Sequence, residues 1–446
     1  MKRIMHRGAA VLALALALLI GLTFFVVKLA VSGEKWASSR INRGVYSGNT
    51  VAIGTVTDRN GEVLSSVSDG TRVFSPNEKI RRATLHVVGD KAGNIGTGAL
   101  GTMVPQLIGY NPVTGTYSLD NGGGTARLAI DAKLNVAAYE ALAGRSGAVV
   151  VVNYKTGELL CNVSAPTFDP SNPSEVDLDS TRYDGVYLNR AISSSYTPGS
   201  SFKLVTAAAA IENIPDISGR IFECNGSFEV GQGVVTCTSK HGKIGFDNAL
   251  AHSCNIAFAQ IALELGGETI FEYAKTYGLL DSFKIDGIRT AAGNYAVAED
   301  DSFELAWSGA GQSKNLCSPV AMARFAAAIA NGGSAPKLTF EARGRLFDSA
   351  GTERVLSSAT AKKLGEMMAY NVEETYGTAS FPGLELHAKS GTAEVKSGVE
   401  PHAWFVGYIG NEDFPLAFAV IVENGGGGQS VAGSVANKVL QAAIKE

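Results

Sequence analysis

Residues 196–207 read YTPGSSFKLVTA, a stretch in which a proline and a glycine precede two serines and a lysine. The alanine-rich continuation is typical of a buried helix, and the pattern predicts that this helix begins near Ser200 or Ser201. Residues three apart share a helix face, so Ser200 and Lys203 lie one turn apart, whereas Ser201 points roughly 100° away. The spacing favours Ser200 as a nucleophile, with Lys203 as its base if burial or a nearby cation lowers the pKa of the lysine.

A second candidate segment, AHSCNIAFAQIALELG, places Ser253 and Asn255 at the start of another helical run. A hydroxyl and an amide two residues apart can project from a turn into one cleft. There the hydroxyl can pass a proton and the amide can hold a substrate carbonyl.

A third candidate segment, HAKSGTAEV, places a lysine, two hydroxyls and a glycine on a strand. The glycine allows close approach of a substrate, and the cation and hydroxyls suit a carboxylate. Each segment also has an ordinary structural interpretation, because serine-x-x-lysine fits a helix N-cap with a solvated lysine, and the others fit a helix cap and a charged edge strand.

In the order in which they occur, the three motifs resemble those of the acyl-transferases that react with penicillin, the penicillin-binding proteins and serine β-lactamases. GAVVVVNYKTGELLCNVSAPTFDP is similar to the first hairpin of the penicillin-binding domain, and HAWFVGYI is similar to a later strand. Upstream, RGVYSGNTVAIGTVTDRNGEVL resembles the pedestal of class B penicillin-binding proteins, the monofunctional transpeptidases of elongation, division or sporulation. The resemblance implies an α+β fold in which helices flank an antiparallel sheet, preceded by a small β-rich pedestal.

The resemblance also implies a role for each motif. Ser200 would be the acylated nucleophile, Lys203 its base, and Ser253 a proton relay, while Asn255 would hold the acyl-donor peptide. The carboxylate end of the site would be shaped by Lys389, Ser390, Gly391 and Thr392. The backbone N–H groups of Ser200 and Thr392 would form the oxyanion hole. Cys254 occupies the variable middle position of the second motif, and Ser390 stands where many members have threonine.

The implied reaction is attack by the serine on the penultimate D-alanyl carbonyl of a peptidoglycan stem peptide, release of D-alanine, and transfer of the acyl group to an amine on a neighbouring strand. No metal or organic cofactor is implied, and β-lactams would block the serine. The implied partners are stem peptides and a glycosyltransferase or other members of the division or elongation machinery. A D,D-carboxypeptidase or β-lactamase-type hydrolase is the main alternative, and a drug-sensing receptor or a non-catalytic scaffold is a weaker one.

Residues 8–27, GAAVLALALALLIGLTFFVV, are uncharged and long enough to cross a bilayer as a helix. They follow Lys2, Arg3 and Arg7, which predicts a cytoplasmic N-terminus and an extracytoplasmic catalytic domain, although basic residues behind the span weaken the asymmetry. A cleaved signal peptide is the alternative, but its apolar region usually has about 7–15 residues. We therefore expect a single-pass membrane anchor.

Changes in the pattern of apolar and turn-forming residues divide the chain into an anchor (1–32), a pedestal of short strands and turns (33–130) and a transpeptidase domain (131–446). The last part has a helical run and a hairpin at its start, and strands at 403–409 and 415–422 before a final helix. Helical segments are predicted between them, mainly over 200–280 and 304–331. This arrangement predicts one antiparallel sheet, closed by the two ends of the domain and covered by helices.

Five cysteines are an odd number for an exported chain. Cys224 and Cys237 bracket a segment that reads as a hairpin, and a disulfide across it and a pair of reduced thiols are both compatible with the sequence. Cys237 and His241 form one pair of potential metal ligands, but the sequence shows no second pair of matching spacing, so no metal site is expected.

Three other features have weaker functional interpretations. The net charge of −4 and the lack of a basic patch argue against nucleic acid as a partner. GTGALG, residues 96–101, satisfies a dinucleotide-binding pattern with Asp120 downstream, but no strand–helix–strand unit continues it, so we interpret it as turns. His252 and His387 each precede a motif, and packing or hydrogen bonding near the cleft is the expected role for both.

Overall fold

The structure is a computed structural model that describes residues 1–39, 46–47, 50–111, 113–115, 122–297, 301–342, 351–396 and 398–445. Asp120, considered above with the glycine-rich segment, lies outside the described residues. The chain begins with helix α1 (Lys2–Ala37), which is 36 residues long. The apolar window of α1 makes no buried contact with the rest of the protein, and its length and composition are those of a membrane-spanning helix.

A small sheet follows the anchor. The elements of this part are β1 (Tyr46–Ser47), β2 (Thr50–Val51), β3 (Thr55–Thr57), β4 (Val63–Ser68), β5 (Thr71–Phe74), α2 (Glu78–Val88), α3 (Ala99–Thr102), α4 (Val104–Leu107) and β6 (Thr125–Arg127). Four of the strands form a sheet in the order β5–β4–β3–β6, in which β3 and β6 are parallel and the other pairs antiparallel. The β-rich character that the sequence predicts for this part is present.

The central sheet has five strands in an order that joins the two ends of the C-terminal part of the chain. Helix α5 (Ala132–Leu142) leads into β7 (Gly147–Asn153) and β8 (Leu159–Ala165). The last elements are β17 (Leu386–Ala393), β18 (His402–Ile409), β19 (Leu416–Val422) and α14 (Ser434–Ala443). All pairs in the order β17–β18–β19–β7–β8 are antiparallel, which confirms the expected α+β class.

Both faces of this sheet are covered, which explains the continuous apolar runs of its strands. Val149 and Val151 of β7 point toward a core that includes residues of α5 and α14. Val150 and Val152 point to the opposite face, where helix α12 (Pro319–Ala330) packs. Because side chains alternate along a strand, the valines of β7 pack in the cores on both faces of the sheet.

The remaining elements lie between β8 and β17 in the chain. The helices are α6 (Arg190–Ser193), α7 (Lys203–Asn213), α8 (Phe246–Ala251), α9 (Asn255–Leu265), α10 (Gly267–Thr276), α11 (Ser302–Gly309), α12, and α13 (Ser358–Asn371). The strands are β9 (Ile221–Cys224), β10 (Ser227–Val230), β11 (Gly233–Thr236), β12 (Gly242–Gly245), β13 (Lys284–Ile285), β14 (Ile288–Arg289), β15 (Ser334–Pro336) and β16 (Thr352–Arg354). This insertion places α7 and α9 beside β17, the edge strand of the sheet.

Helix α2 departs from the strands and turns that the sequence predicted for the pedestal. Asn77 caps its N-terminus by accepting a hydrogen bond from the Lys79 N–H, and Ile80, Ala83 and Val87 lie on its buried face. The helix packs against α5 and β8, so the pedestal is joined to the central sheet through a shared core. The apolar run TLHVV before the glycine-rich segment therefore ends a helix and not a strand, which is inconsistent with a dinucleotide-binding unit.

Candidate active site

A cleft of about 560 Å³ opens beside the exposed edge of the central sheet. It is bounded by β17, by the turn before α7, by the start of α9 and by the end of β11. Its lining residues are Ser200, Thr236, Cys237, Thr238, Ser253, Asn255, Trp307, Ala310, Gln312, Ser390, Thr392 and Glu394. The three sequence motifs, which are far apart in the chain, all contribute to this lining.

The two adjacent serines face different surroundings. A 3₁₀ turn (Gly199–Phe202) precedes α7, and Gly199 has a φ of 53°, a left-handed conformation that favours glycine. Ser201 is fully buried and donates its hydroxyl to the Pro198 carbonyl at 2.7 Å. Ser200 instead lines the cleft, where its hydroxyl contacts a lysine. Ser201 therefore has a structural hydrogen bond, and Ser200 has an exposed hydroxyl.

Lys203 lies at the centre of the site and is fully buried. Its Nζ is 2.9 Å from Ser200 Oγ, 2.8 Å from Ser253 O, 3.1 Å from Ser253 Oγ and 2.7 Å from Asn255 Oδ1. Burial lowers the pKa of Lys203 well below its ordinary value, and the positive charge of Lys389 lowers it further. The lysine therefore meets the condition that a base for a serine hydroxyl requires.

The hydrogen-bond partners of Lys203 indicate how a neutral amine would be oriented. A neutral amine has two N–H groups and one lone pair, while the carbonyl oxygens of Ser253 and Asn255 can only accept. If these two oxygens take both N–H groups, the lone pair is left for the hydroxyls of Ser200 and Ser253. The geometry thus suits removal of a proton from a hydroxyl.

Ser253 and Asn255 are held at a strained turn between α8 and α9. Ser253 has a φ of 53°, which is uncommon for a residue other than glycine and often marks a functional site. Asn255 is the first residue of α9, and its Nδ2 donates to the carbonyl of Thr236 at 2.9 Å. This bond fixes the amide so that Oδ1 faces Lys203.

The second lysine of the site, Lys389, is almost fully buried on β17. Its Nζ donates to Ser253 Oγ at 3.2 Å and to Ser390 O at 3.0 Å. Burial lowers the pKa of Lys389 to about 7. Ser253 Oγ thus lies within hydrogen-bond distance of both lysines, as a proton relay requires.

The rest of the third motif is held by close backbone contacts. A Cβ on Gly391 would lie 2.4 Å from the carbonyl oxygen of Pro198, so glycine lets β17 approach the turn that carries Ser200. Tyr376, which the sequence analysis missed, donates to Ser390 Oγ at 2.8 Å and accepts from the Ser390 N–H at 2.7 Å. Thr392 Oγ1 accepts from the Gly428 N–H at 3.2 Å.

Several residues of the cleft were not singled out from the sequence. Trp307 and Gln312 lie in the segment WSGAGQSKN, and Glu394 follows the third motif at the end of the cleft. Among the described residues that line the cleft, Glu394 carries the single carboxylate.

The two histidines beside the motifs do not line the cleft. The Nδ1 atom of His387 lies 2.7 Å from the Gly365 carbonyl, and its ring stacks on Tyr408. His252 lies 3.7 Å from a carboxylate oxygen of Glu374. His387 therefore has the packing and hydrogen-bonding role expected of it, whereas the contact of His252 with Glu374 is too long for a hydrogen bond.

All five cysteines carry free thiols. The Sγ atoms of Cys224 and Cys237 lie 3.4 Å and 3.6 Å from the same nitrogen, His241 Nδ1, and Cys254 Sγ lies 4.0 Å from Cys237 Sγ. The expectation that Cys237 and His241 have no second ligand pair is therefore wrong in three dimensions. Cys224 and Cys254 approach through the fold, at a sequence spacing that no short motif describes.

Comparison with known proteins gives consistent similarities. Residues 147–441 match the family described as the penicillin binding protein transpeptidase domain. The chain is 28% identical over 372 residues to the peptidoglycan D,D-transpeptidase PbpA of Mycolicibacterium smegmatis, covering 73% of this chain and 74% of that protein.

Solved structures agree with this result. The D,D-transpeptidase domain of a peptidoglycan glycosyltransferase from Eggerthella lenta has a TM-score of 0.75 at 27% identity, covering 88% of this chain and 98% of that one. The ceftriaxone acyl-enzyme complex of penicillin-binding protein A from M. tuberculosis has a TM-score of 0.75 at 25% identity, with the same coverage.

Proposed function

This chain belongs to the penicillin-binding protein transpeptidase family, and we propose that it is a membrane-anchored class B D,D-transpeptidase that cross-links peptidoglycan stem peptides and is inhibited covalently by β-lactams. The observation that carries the proposal is the contact of 2.9 Å between Ser200 Oγ and Lys203 Nζ, made by a fully buried lysine with a lowered pKa. A serine activated in this way can form an acyl-enzyme.

In the proposed acylation step, Ser200 Oγ attacks the carbonyl carbon of the penultimate D-alanine while its proton passes to the neutral amine of Lys203. The backbone N–H groups of Ser200 and Thr392 stabilise the oxyanion. When the intermediate collapses, the C–N bond to the terminal D-alanine breaks and the leaving amine takes a proton through Ser253, whose Oγ is 3.1 Å from Lys203 Nζ. Free D-alanine and an ester on Ser200 result.

In the second step, the amine of a neighbouring stem peptide attacks the ester carbonyl. The same path runs in reverse, because the amine must lose a proton and Ser200 Oγ must regain one. Asn255 holds the donor peptide, and Lys389 with Ser390, Gly391 and Thr392 binds the terminal carboxylate of the first substrate. Lys389 suits this role because a carboxylate stabilises its charged form.

We also propose an orientation and a partner. The basic residues ahead of the span favour a cytoplasmic N-terminus, which puts the cleft outside the membrane with its peptidoglycan substrate. A transpeptidase acts on glycan strands that a glycosyltransferase polymerises, so a glycosyltransferase of the division or elongation machinery is the proposed partner.

Product analysis tests this function against the hydrolase alternative. The full-length protein is supplied with nascent glycan strands that carry pentapeptide stems and an acceptor amine, and muropeptides are separated by mass. We expect cross-linked dimers together with free D-alanine. Trimmed tetrapeptides without dimers would favour the carboxypeptidase.

A cleft variant sharpens this comparison. A hydrolase needs a base for water, and Glu394 carries the one carboxylate of the described lining. We expect Glu394→Gln to leave the lifetime of the penicillin acyl-enzyme unchanged. A longer lifetime in this variant would support water-mediated deacylation as the native second step.

A further inference from the structure

A cluster of soft ligands lies directly behind the catalytic cleft and has no part in the mechanism above. It consists of Cys224, Cys237, His241 and Cys254, and we call it the Cys–His cluster. Its three sulfurs and one ring nitrogen all lie within 4.8 Å of one another. Cys224 and Cys254 are fully buried, and Cys237 lines the floor of the cleft.

The strand pairing explains how the four residues, which span positions 224–254, come together. Cys224 ends β9 and pairs with Gly242 of β12, which sets it beside His241. Cys237 directly follows β11, the second strand of the β10–β11 hairpin. Cys254 is the N-cap residue of α9. The β9–β12 strand pair, the segment between β11 and β12 and the N-terminus of α9 therefore converge on one point.

The distances agree with those of a tetrahedral zinc site. Zn–S bonds of about 2.3 Å and a Zn–N bond of about 2.0–2.1 Å place tetrahedral ligands about 3.8 Å apart for two sulfurs and about 3.6 Å apart for a sulfur and a nitrogen. The observed separations are 4.0 Å between Cys237 Sγ and Cys254 Sγ, and 3.4 Å and 3.6 Å from His241 Nδ1 to the sulfurs of Cys224 and Cys237. The other three pairs of ligand atoms lie within 4.8 Å of one another, so shifts of up to about 1 Å would complete the polyhedron.

The surroundings of the ligands also have the form of a metal site. His241 Nε2, the nitrogen that does not face the sulfurs, lies 3.0 Å from Ser239 Oγ, as expected where a second hydrogen bond orients a ligating imidazole. The backbone N–H of Asn255 donates to Cys237 Sγ at 3.3 Å, and that of Ala257 donates to Cys254 Sγ at 3.5 Å. Backbone donors of this kind orient the sulfurs of a metal site.

We propose that the Cys–His cluster binds one Zn²⁺ ion in a closed Cys₃His site. Three thiolates and an imidazole are a ligand set of structural zinc sites, and four protein ligands leave no open position for water or substrate. The ion would therefore be structural and not catalytic, and it would take no direct part in the serine chemistry of the cleft.

The position of the cluster gives this ion a role in holding the active site. Cys254 stands between Ser253 and Asn255, and its neighbour Cys237 accepts the hydrogen bond of the Asn255 backbone. A metal bound by Cys237 and Cys254, together with the other two ligands, would fix the strained turn at Ser253, whose φ is 53°. The four ligands are thus positioning residues for the second motif.

A disulfide is the competing use of the same cysteines. Cys237 and Cys254 are close enough to form one after a small movement, with loss of two electrons and two protons to an external oxidant. That bond would remove two of the four ligands. Zinc binding and this disulfide therefore exclude each other, which makes the proposal sharply testable.

The first test measures metal content. The full-length protein is purified in detergent with a tag that binds no metal, without chelators, and zinc is quantified by plasma mass spectrometry. We expect about one zinc ion per chain, and we expect its loss in Cys224→Ser and His241→Ala. His241→Cys should retain zinc. Cys161→Ala is the matched control, because Cys161 is equally buried but lies in the central sheet, away from the cluster.

Three further measurements complement the first, and two of them use the unaltered protein. Replacement of zinc by Co²⁺ in the unaltered protein should give the visible absorption and sulfur charge-transfer bands of tetrahedral thiolate cobalt. Ser239→Ala should weaken zinc affinity by roughly 10–100-fold while the fold is retained. Removal of zinc by a chelator should lower the rate of penicillin acylation, and added Zn²⁺ should restore it.

Two results would contradict the zinc proposal. The proposal is wrong if the freshly purified protein contains no zinc and its thermal midpoint does not change when Zn²⁺ is added. It is also wrong if peptide mapping of that protein finds Cys237 and Cys254 joined by a disulfide. Neither result would affect the proposed transpeptidase activity, which is measured by its own products.

Discussion

Replacement of Lys203 by methionine tests the proposed base of the reaction. Methionine keeps the length and the apolar stem of the side chain but removes the amine that contacts Ser200 Oγ at 2.9 Å. General-base catalysis typically contributes about 10²–10⁴-fold to a rate, which corresponds to about 3–5 kcal/mol of transition-state stabilisation. We therefore expect the second-order rate constant of penicillin acylation to fall by about 10²–10⁴-fold in Lys203→Met.

The pH profile gives this prediction a second readout. In the unaltered protein, burial and the charge of Lys389 lower the pKa of Lys203, so the neutral amine becomes the major form well below the ordinary lysine pKa of 10.5. Acylation by a β-lactam methyl ester, which lacks the carboxylate that Lys389 would bind, should rise with pH through the lowered pKa and then reach a plateau. Because methionine does not titrate, Lys203→Met should lose this rising limb.

The effect on stability must be separated from the effect on catalysis. Methionine leaves the carbonyl oxygens of Ser253 and Asn255 without their hydrogen-bond donor, which costs about 1–3 kcal/mol of stability for each unsatisfied group. It also removes the free-energy cost of burying an amine, which acts in the opposite direction. The variant is assayed with fluorescent penicillin below its own thermal midpoint. Lys363→Met is the matched control, because Lys363 of α13 forms an ion pair with Asp247 of α8, and this variant should acylate normally. A folded Lys203→Met protein with an unchanged rate and pH profile would refute the role of Lys203 as the base.

Three other perturbations have definite expected outcomes. Gly391→Ala puts a Cβ 2.4 Å from the Pro198 carbonyl, so we expect a loss of about 1–3 kcal/mol in unfolding free energy and slower acylation. Thermal melts and penicillin-binding assays measure the two effects. Gly219→Ala is the control and should change neither, because the space around its Cβ is open. Tyr376→Phe leaves the Ser390 N–H without its partner and should cost about 1–3 kcal/mol, while an unchanged melt would show that this bond contributes nothing. Because the pKa of Lys389 is lowered to about 7, its charged form is lost as the pH rises through that value. The acylation rate of a carboxylate-bearing β-lactam, relative to that of its methyl ester, should therefore decline over this range. A constant ratio between about pH 6 and pH 8 would contradict the carboxylate-binding role of Lys389.

The parts of the site that could be predicted from the sequence are those with short-range geometry. A separation of three residues on a helix was sufficient to set Ser200 apart from Ser201, whose hydroxyl is bonded to the backbone of its own turn. The strands expected at 403–409 and 415–422 lie at His402–Ile409 and Leu416–Val422, because long apolar runs near the chain end have few alternatives to the central sheet.

The parts that could not be predicted depend on contacts between distant segments. Helix α2 was missed because its apolar face is short and is completed only by packing on α5 and β8. The Cys–His cluster was missed because the pairing of Cys224 with Gly242, not the spacing of the cysteines, brings its ligands together. Tyr376 was missed for the same reason, since it meets Ser390 from a separate turn of the chain.

The central claim, that Ser200 is the residue acylated, is tested most directly by mapping a penicillin adduct. The full-length protein is labelled with penicillin, digested, and the modified residue is identified by tandem mass spectrometry. The account predicts an adduct on Ser200, no adduct in Ser200→Ala and retained labelling in Ser201→Ala. An adduct on Ser201, or undiminished labelling of Ser200→Ala, would contradict it.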